Sequence, residues 1–202
     1  MHTSRSHVTR VLHLLLLLTV LHQLMGSRIM ERPFPGDEPA WPFVLHQWVG
    51  LASLAALGVF WAWTLVRHRL ETPLGRLVPW FSIDGYRAVL IDVTRSAGRL
   101  IGVVTPDDGH EQADGALASA VHGLGLLVAS AMAVSGAAYF LFFEGTSAAK
   151  LVLGLHKLFA NFMWAYLIGH AGLAILHALW GDDILSRMFW LRPRRTSSVE
   201  AP

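Results

Sequence analysis

Four long apolar segments constrain the fold of this chain more than any other feature. Each is long enough to cross a hydrocarbon core of about 30 Å, which takes roughly 20 helical residues. They cover about residues 8–25, 42–66, 117–143 and 151–180. Hydrophobic residues make up 53% of the 202 positions and charged residues only 15%, which is not the composition of a soluble domain of this size. We therefore expect an all-α membrane protein built as a bundle of four transmembrane helices.

The first apolar segment has one feature of a signal peptide, because Arg5 and Arg10 precede its leucine-rich run. No small-residue cleavage site follows that run, and we expect the segment to remain as a membrane helix. Residues 1–186 then form a single four-helix transmembrane domain, with a loop over 67–116, and residues 187–202 form a basic tail.

The arginines between the segments predict the orientation. The N-terminal stretch, the loop after the second segment and the tail share one side of the membrane. Their twelve arginines are Arg5, Arg10, Arg67, Arg69, Arg76, Arg87, Arg95, Arg99, Arg187, Arg192, Arg194 and Arg195. The opposite side has only Arg28, Arg32 and the lysines Lys150 and Lys157. The positive-inside rule therefore places both termini in the cytoplasm.

The loop over 67–116 is too polar to span a membrane. Its stretch DGYRAVLIDVTRSAGRLIGV places charged and apolar residues at roughly helical spacing, which predicts an amphipathic helix on the cytoplasmic surface. A disordered connector is the alternative for this stretch. The following PDDGHEQADG is typical of a flexible linker into the third membrane helix.

Two histidines of the last apolar segment are spaced for two sites on one helix face. His156 and His170 are fourteen residues apart, so a helix carries them about 21 Å apart along its axis, with a rotation only some 40° short of four full turns. The chain has no cysteine, which leaves histidine, methionine and carboxylates to bind any metal. One helix could therefore provide one axial ligand to each of two stacked haems.

The predicted topology supplies a partner at each depth. His46 lies near the outer end of the second segment, at the level of His156, and His13 lies a turn or so inside the first segment, at the level of His170. Facing neutral imidazoles from two helices are what a six-coordinate haem b requires. A packing role is the alternative for a single membrane histidine, but two pairs at matching depths favour haem ligation.

Four further residues are candidates for roles beside the cytoplasmic haem. His122 and His177 lie near the inner surface, where a quinone head group, proton exchange or a haem propionate would be found. Arg10 and Arg67 are candidate propionate partners, with plain cytoplasmic anchoring as the alternative. We assign no catalytic residue. Several glycines would admit a flat macrocycle or simply allow close helix packing: Gly50 one turn after His46, Gly136 within the third segment, and Gly169 and Gly172 beside His170.

The chain resembles the prokaryotic cytochrome b561 family, which includes the b-type cytochrome subunits of nickel–iron hydrogenases. The matching motifs are HKLFAN followed by IGHAGLAILH, the span end WGDDILSRMF, and RVLH, LHQWVG and VHGLG in the first three segments. The resemblance covers most of the chain and implies His13 and His170 for the cytoplasmic haem and His46 and His156 for the periplasmic haem. The chain departs from the family at Leu14, where members usually have tryptophan after the first histidine, and its loop is longer than in compact members.

Together these features predict transmembrane electron transfer through two haem b groups, between the quinone pool of a respiratory chain and a redox partner. That partner would be a dehydrogenase or hydrogenase subunit or a soluble cytochrome, and a homodimer is left open. One alternative is an oxidoreductase that acts alone on superoxide or quinol, and a remote one is a histidine-lined metal-ion transporter without haem. The basic residues flank apolar runs, which is typical of lipid contact, and no nucleic-acid motif is present.

Overall fold

The computed structural model describes residues 7–34, 36–70, 78–79, 82–100, 115–179 and 188. This part of the chain contains no strand. Its α-helices are α1 (His7–Ile29), α2 (Trp41–Leu70), α3 (Ile83–Leu100), α4 (Ala116–Ala138) and α5 (Ala149–Leu179). Helix α4 runs on without a break into a π-helical segment, Tyr139–Phe143.

Four of these helices confirm the predicted membrane spans. Stretches His7–Ile29, Trp41–Val66, Ala116–Phe143 and Ala149–Leu176 are each long and apolar enough to cross a bilayer. Large apolar side chains on their outer surfaces are exposed, among them Leu18, Val59 and Phe142. An outward apolar surface is what lipid requires and water would penalise. The orientation of the bundle, with both termini inside, remains a prediction.

The helices pack in the order α1 on α2, α2 on α4, and α4 on α5. Helices α1 and α5 are not among the extensively packed pairs, and the interactions between them involve long side chains, as for Arg28 of α1 over the Trp164 ring of α5. The buried centre of the bundle contains side chains from all four spans. It consists of Val20, Leu24, Leu57, Leu126, Ala129, Met132 and Met163.

Side-chain hydrogen bonds join neighbouring spans. The Trp61 indole N–H donates to the Ser130 hydroxyl at 3.0 Å and joins α2 to α4, while the Trp63 N–H donates to the Thr9 hydroxyl at 3.0 Å and joins α2 to α1. Lipid is as apolar as the helix surfaces, so the hydrophobic effect does not hold spans together. Spans are instead held together by close packing and by such hydrogen bonds, each of which contributes about 0.6 kcal/mol.

The predicted amphipathic helix exists as α3 and packs against α4. The Asp92 carboxylate of α3 accepts a hydrogen bond from the Leu117 backbone N–H at 3.2 Å, in the first turn of α4, where helix N–H groups lack partners. Val89 is buried, whereas Ile83 and Leu90 are exposed. The placement of α3 on the membrane surface remains a prediction. The predicted linker, and the tail apart from Met188, lie outside the described residues.

A short connection makes α4 and α5 antiparallel. Gly145, two residues after the end of the π-helical segment, has a φ of 78°, a left-handed conformation that favours glycine. The Thr146 hydroxyl donates to the Phe143 carbonyl at 2.7 Å, and the Ala149 N–H donates to the Thr146 carbonyl at 3.2 Å. The chain thus reverses within a few residues, which places α5 along α4 over its whole length.

Candidate functional site

The structure brings the four histidines of the two predicted pairs together as the sequence suggested. His13 of α1 and His170 of α5 have ring centroids 6.5 Å apart, with ring planes at 56°. His46 of α2 and His156 of α5 have centroids 6.3 Å apart, with planes at 79°. All four side chains are partly buried. We refer to the two ends of the bundle as the His13 end and the His46 end.

These separations fit a single metal ion between the two rings of each pair. Two imidazoles on opposite sides of one metal, each with a nitrogen–metal bond of about 2 Å, place their ring centroids roughly 6 to 6.5 Å apart. Two rings that share the line through a metal can adopt any angle between their planes, so tilts of 56° and 79° are compatible with this arrangement. Each pair therefore fits the axial ligand set of a haem.

The described residues offer pairs of ligands and not larger metal sites. Within the part of the chain that the structure describes, no group of three or more histidine, cysteine, aspartate or glutamate residues is arranged to hold a metal ion. A bare ion such as zinc usually takes four protein or water ligands. A haem iron takes four nitrogens from its own macrocycle and needs only two from the protein, which suits a histidine pair.

His156 is oriented by α4. Its Nδ1–H donates to the Met132 backbone carbonyl at 2.9 Å; a carbonyl only accepts, so this nitrogen carries the proton. The other nitrogen, Nε2, is then the one that can bind a metal, as in most metal-ligating histidines. Gly136 admits the ring, because a Cβ on this glycine would lie 2.8 Å from the His156 Cε1 atom. Helix α4 therefore fixes both the position and the tautomer of His156.

His46 is held mainly through its backbone. The buried side-chain amide of Gln23 on α1 donates to the His46 carbonyl at 3.0 Å. The same Gln23 side chain lies beside Gly50, one turn after His46 along α2. The Nδ1 atom of His46 is buried and has no hydrogen-bond partner among the described residues. A buried polar atom without a partner is uncommon in proteins, and a bound group that reorients this ring would account for it.

The His13 end contains two further rings. The Tyr166 ring stacks on the His170 ring, with centroids 5.3 Å apart and planes at 10°. The His122 ring lies 5.4 Å from the His170 ring, and its Nδ1–H donates to the Ala118 carbonyl at 2.7 Å. The structure therefore brings the predicted residue His122 to the His13 end. What His122 binds there remains a prediction.

The remaining predicted site residues are placed less fully. Arg10 lies on α1, one turn before His13, and is partly buried. Arg67 and His177 belong to α2 and α5, but their side chains lie outside the described part of the chain. Their predicted contacts with propionates or a quinone remain predictions.

Several residues at the two sites were not singled out from the sequence. Gln23 and Tyr166 contact the histidines, and Gly125 makes room for Tyr166, because a Cβ there would lie 2.2 Å from the Tyr166 Cζ atom. The sequence does contain a signal for these contacts, because Gly125 and Gly136 are eleven residues apart and therefore lie on one face of α4. Each glycine receives a ring from α5. Gly169 and Gly172, by contrast, have open space around them.

One of the comparisons with known proteins identifies a family. The family model described as prokaryotic cytochrome b561 matches residues 4–190, which is nearly the whole chain and includes all four paired histidines. Neither the curated proteins nor the solved structures gave a match.

Proposed function

Because the chain belongs to the prokaryotic cytochrome b561 family, whose members carry electrons in membranes through b-type haem, we propose that it holds two haems and passes electrons across the bilayer between the quinone pool and a redox partner. One haem would bind between His13 and His170, and the other between His46 and His156.

The observation that supports this proposal is the pair of ring separations, 6.5 Å and 6.3 Å, at two levels of one bundle. Helix α5 contributes one histidine to each pair, fourteen residues apart, or about 21 Å along the helix axis. That distance is most of the hydrocarbon thickness of about 30 Å. Two redox groups at these levels would leave only short distances to either membrane surface.

Each protein group has a definite role in the proposal. A haem supplies an iron that accepts and releases one electron, and its axial ligands, burial and nearby charges set its potential. The Met132 carbonyl keeps the proton of His156 on Nδ1 and leaves Nε2 for the metal. Gln23 fixes the backbone of His46. The apolar centre of the bundle, with Leu24 only 1% exposed, excludes water between the two sites.

The orientation and the partners belong to the same proposal. The arginine distribution supports cytoplasmic termini, so the His13 pair would face the cytoplasm and the His46 pair the periplasm of a bacterial inner membrane. A quinone suits an electron carrier whose exposed surface is apolar, since it reaches the haems from within the lipid.

The test is the haem content of histidine variants, measured on protein purified from membranes as a pyridine haemochrome and by redox titration of the reduced α band. The natural sequence should bind two haems per chain. His46→Ala and His156→Ala should each lose the same haem, and His13→Ala and His170→Ala should each lose the other. The double variant H46A/H156A should keep one haem, because both residues serve one site.

His22→Ala is the matched control, since His22 also lies within α1 and is partly buried. This variant should keep both haems. Purified protein that binds no haem b, or a His170→Ala variant that keeps two, would refute the proposal. Reduction of the protein in vesicles by a quinol, compared with reduction by superoxide, separates quinone-linked transfer from an enzyme acting alone.

A further inference from the structure

Two arginines at the His46 end have no assigned role; both residues are exposed, yet the guanidinium group of each lies over an aromatic ring. The Arg28 guanidinium lies over the Trp164 ring, with Cζ 5.6 Å from the ring centroid. The Arg32 guanidinium lies over the Tyr139 ring at 5.4 Å and donates a hydrogen bond from Nη2 to the Tyr139 hydroxyl. Arg28 belongs to the last turn of α1, and Arg32 follows four residues later.

The aromatic partners of these cations belong to the packed part of the bundle. Tyr139 is buried, with 7% of its surface exposed, and Trp164 packs against the central apolar cluster. An arginine that merely anchors a helix in lipid head groups would extend outward to the membrane surface. These two guanidinium groups instead lie against a ring of α5 and a ring of the π-helical segment that continues α4.

The same residues are close in sequence to the His46 site. Tyr139 follows Gly136 by three residues, and Gly136 is the glycine against which the His156 ring packs. Arg28 follows Gln23 by five residues, and Gln23 donates to the His46 carbonyl. Both arginines therefore lie within one or two helical turns of residues that contact the histidine pair.

Among the described residues, the two cations have no anionic partner. Neither Arg28 nor Arg32 forms an ion pair with a carboxylate in the part of the chain that the structure describes, although Glu31, Asp37 and Glu38 lie in the same connection. Each guanidinium has five N–H donors in a planar fork that matches a carboxylate. Charged residues inside membrane spans usually pair with another group, and Arg28 belongs to the first span.

We propose that Arg28 and Arg32 bind the two propionate carboxylates of the haem held by His46 and His156. Haem b has two carboxylates on one edge, which matches in number the two guanidinium groups that Arg28 and Arg32 provide, four residues apart in the chain. The aromatic rings of Trp164 and Tyr139 hold the cations in place through their negative faces. The inference rests on the proposed two-haem function and adds the residues that fix the rotation and the potential of one haem.

The test uses single-haem backgrounds of the full chain. His13→Ala leaves the haem of the His46 pair, and His46→Ala leaves the other haem. In the His13→Ala background, Arg28→Gln and Arg32→Gln should each lower the midpoint potential, because removing a nearby positive charge disfavours the added electron. The propionate bending band in the resonance Raman spectrum should shift as well. In the His46→Ala background neither readout should change.

Lysine variants and a charge control keep the test decisive. Arg28→Lys and Arg32→Lys keep the charge and should retain most of the potential, yet they should still shift the Raman band, because lysine lacks the bidentate fork. Lys150→Gln removes an exposed charge from the first turn of α5, at the same end of the bundle, and should change neither readout. An equal shift in Lys150→Gln would overturn the inference.

Lipid phosphate is the other source of an anion at this position. The measurements are therefore repeated in micelles of dodecyl maltoside, which has no phosphate, and in nanodiscs of phosphatidylcholine with phosphatidylglycerol. The same shift in both supports the propionates, whereas a shift only in the nanodiscs assigns the arginines to lipid and overturns the inference. Unchanged potentials and bands in all arginine variants, with two haems bound, would overturn the inference and leave the proposed function standing. Loss of both haems in His13→Ala and in His46→Ala would count against the proposed function itself.

Discussion

Gly136 provides the sharpest test of how the bundle forms one of its two histidine sites. In Gly136→Ala the new methyl group would lie 2.8 Å from the His156 Cε1 atom and 2.9 Å from its Nδ1 atom. Ordinary van der Waals contact begins near 3.4 Å, so one of the two groups must move by at least about half an ångström. The glycine is part of a continuous helix and cannot retreat easily. The imidazole must therefore move.

Moving the imidazole has two costs. The 2.9 Å hydrogen bond from His156 Nδ1 to the Met132 carbonyl would lengthen or break, which costs about 0.5–1.5 kcal/mol. Overpacking of a close contact costs typically about 1–3 kcal/mol. The two costs together amount to about 1.5–4.5 kcal/mol, so the affinity of the His46 site for its haem should fall roughly 10- to 2,000-fold, since 1.4 kcal/mol corresponds to a factor of ten.

The assay is haem stoichiometry during dilution or competition with a haem-binding apoprotein, with the two haems resolved by redox titration. Gly136→Ala should lose the haem of the His46 pair first and keep the other. Gly154→Ala is the matched control, because it adds the same methyl group to α5 two residues before His156, where nothing lies within 4 Å. If Gly136→Ala keeps both haems as tightly as the natural sequence does, the reasoning from this contact is wrong.

Two further predictions concern residues that the sequence did not single out. Gly125→Ala places a Cβ 2.2 Å from the Tyr166 Cζ atom, so it should displace the ring that stacks on His170. The spectrum of the haem at the His13 end should change and that of the other haem should not. Tyr166→Leu should have the same effect, whereas Tyr166→Phe should have little effect. Gln23→Leu removes the hydrogen bond to the His46 carbonyl and should lower the stability of the protein in detergent by about 0.6 kcal/mol. The measurement is the temperature of haem release, and an unchanged melting temperature would contradict this prediction.

The fold was predictable because its main signals are local. Apolar runs of membrane-spanning length predicted the four spans, and the spacing of charged and apolar residues predicted helix α3. The pairing of histidines also followed from local quantities, since the helical rise and the direction of each span give the depth of every residue. In the structure the rings of each pair lie within 6.5 Å.

The contacts around the histidines were not predictable in the same way. Gln23 and Tyr166 meet their partners only because α1 and α5 have particular rotations about their axes, and a single sequence does not fix these rotations. Arg28 and Arg32 were counted as topology signals, and only the packed bundle shows that their guanidinium groups lie over aromatic rings. Continuation of α4 as a π-helix also has no clear marker in the residues Tyr139–Phe143.

The spacing that places one histidine at each level of α5 also decides what lies between the levels. Met163 follows His156 by seven residues and precedes His170 by seven, so it shares their helix face, and it is only 3% exposed. It packs in a cluster of apolar side chains with Leu24 and Leu57. Protons cross membranes along ionisable side chains or water, whereas electrons tunnel through packed apolar groups. For the electron transfer proposed above, this cluster would conduct electrons between the two sites while blocking a direct proton leak.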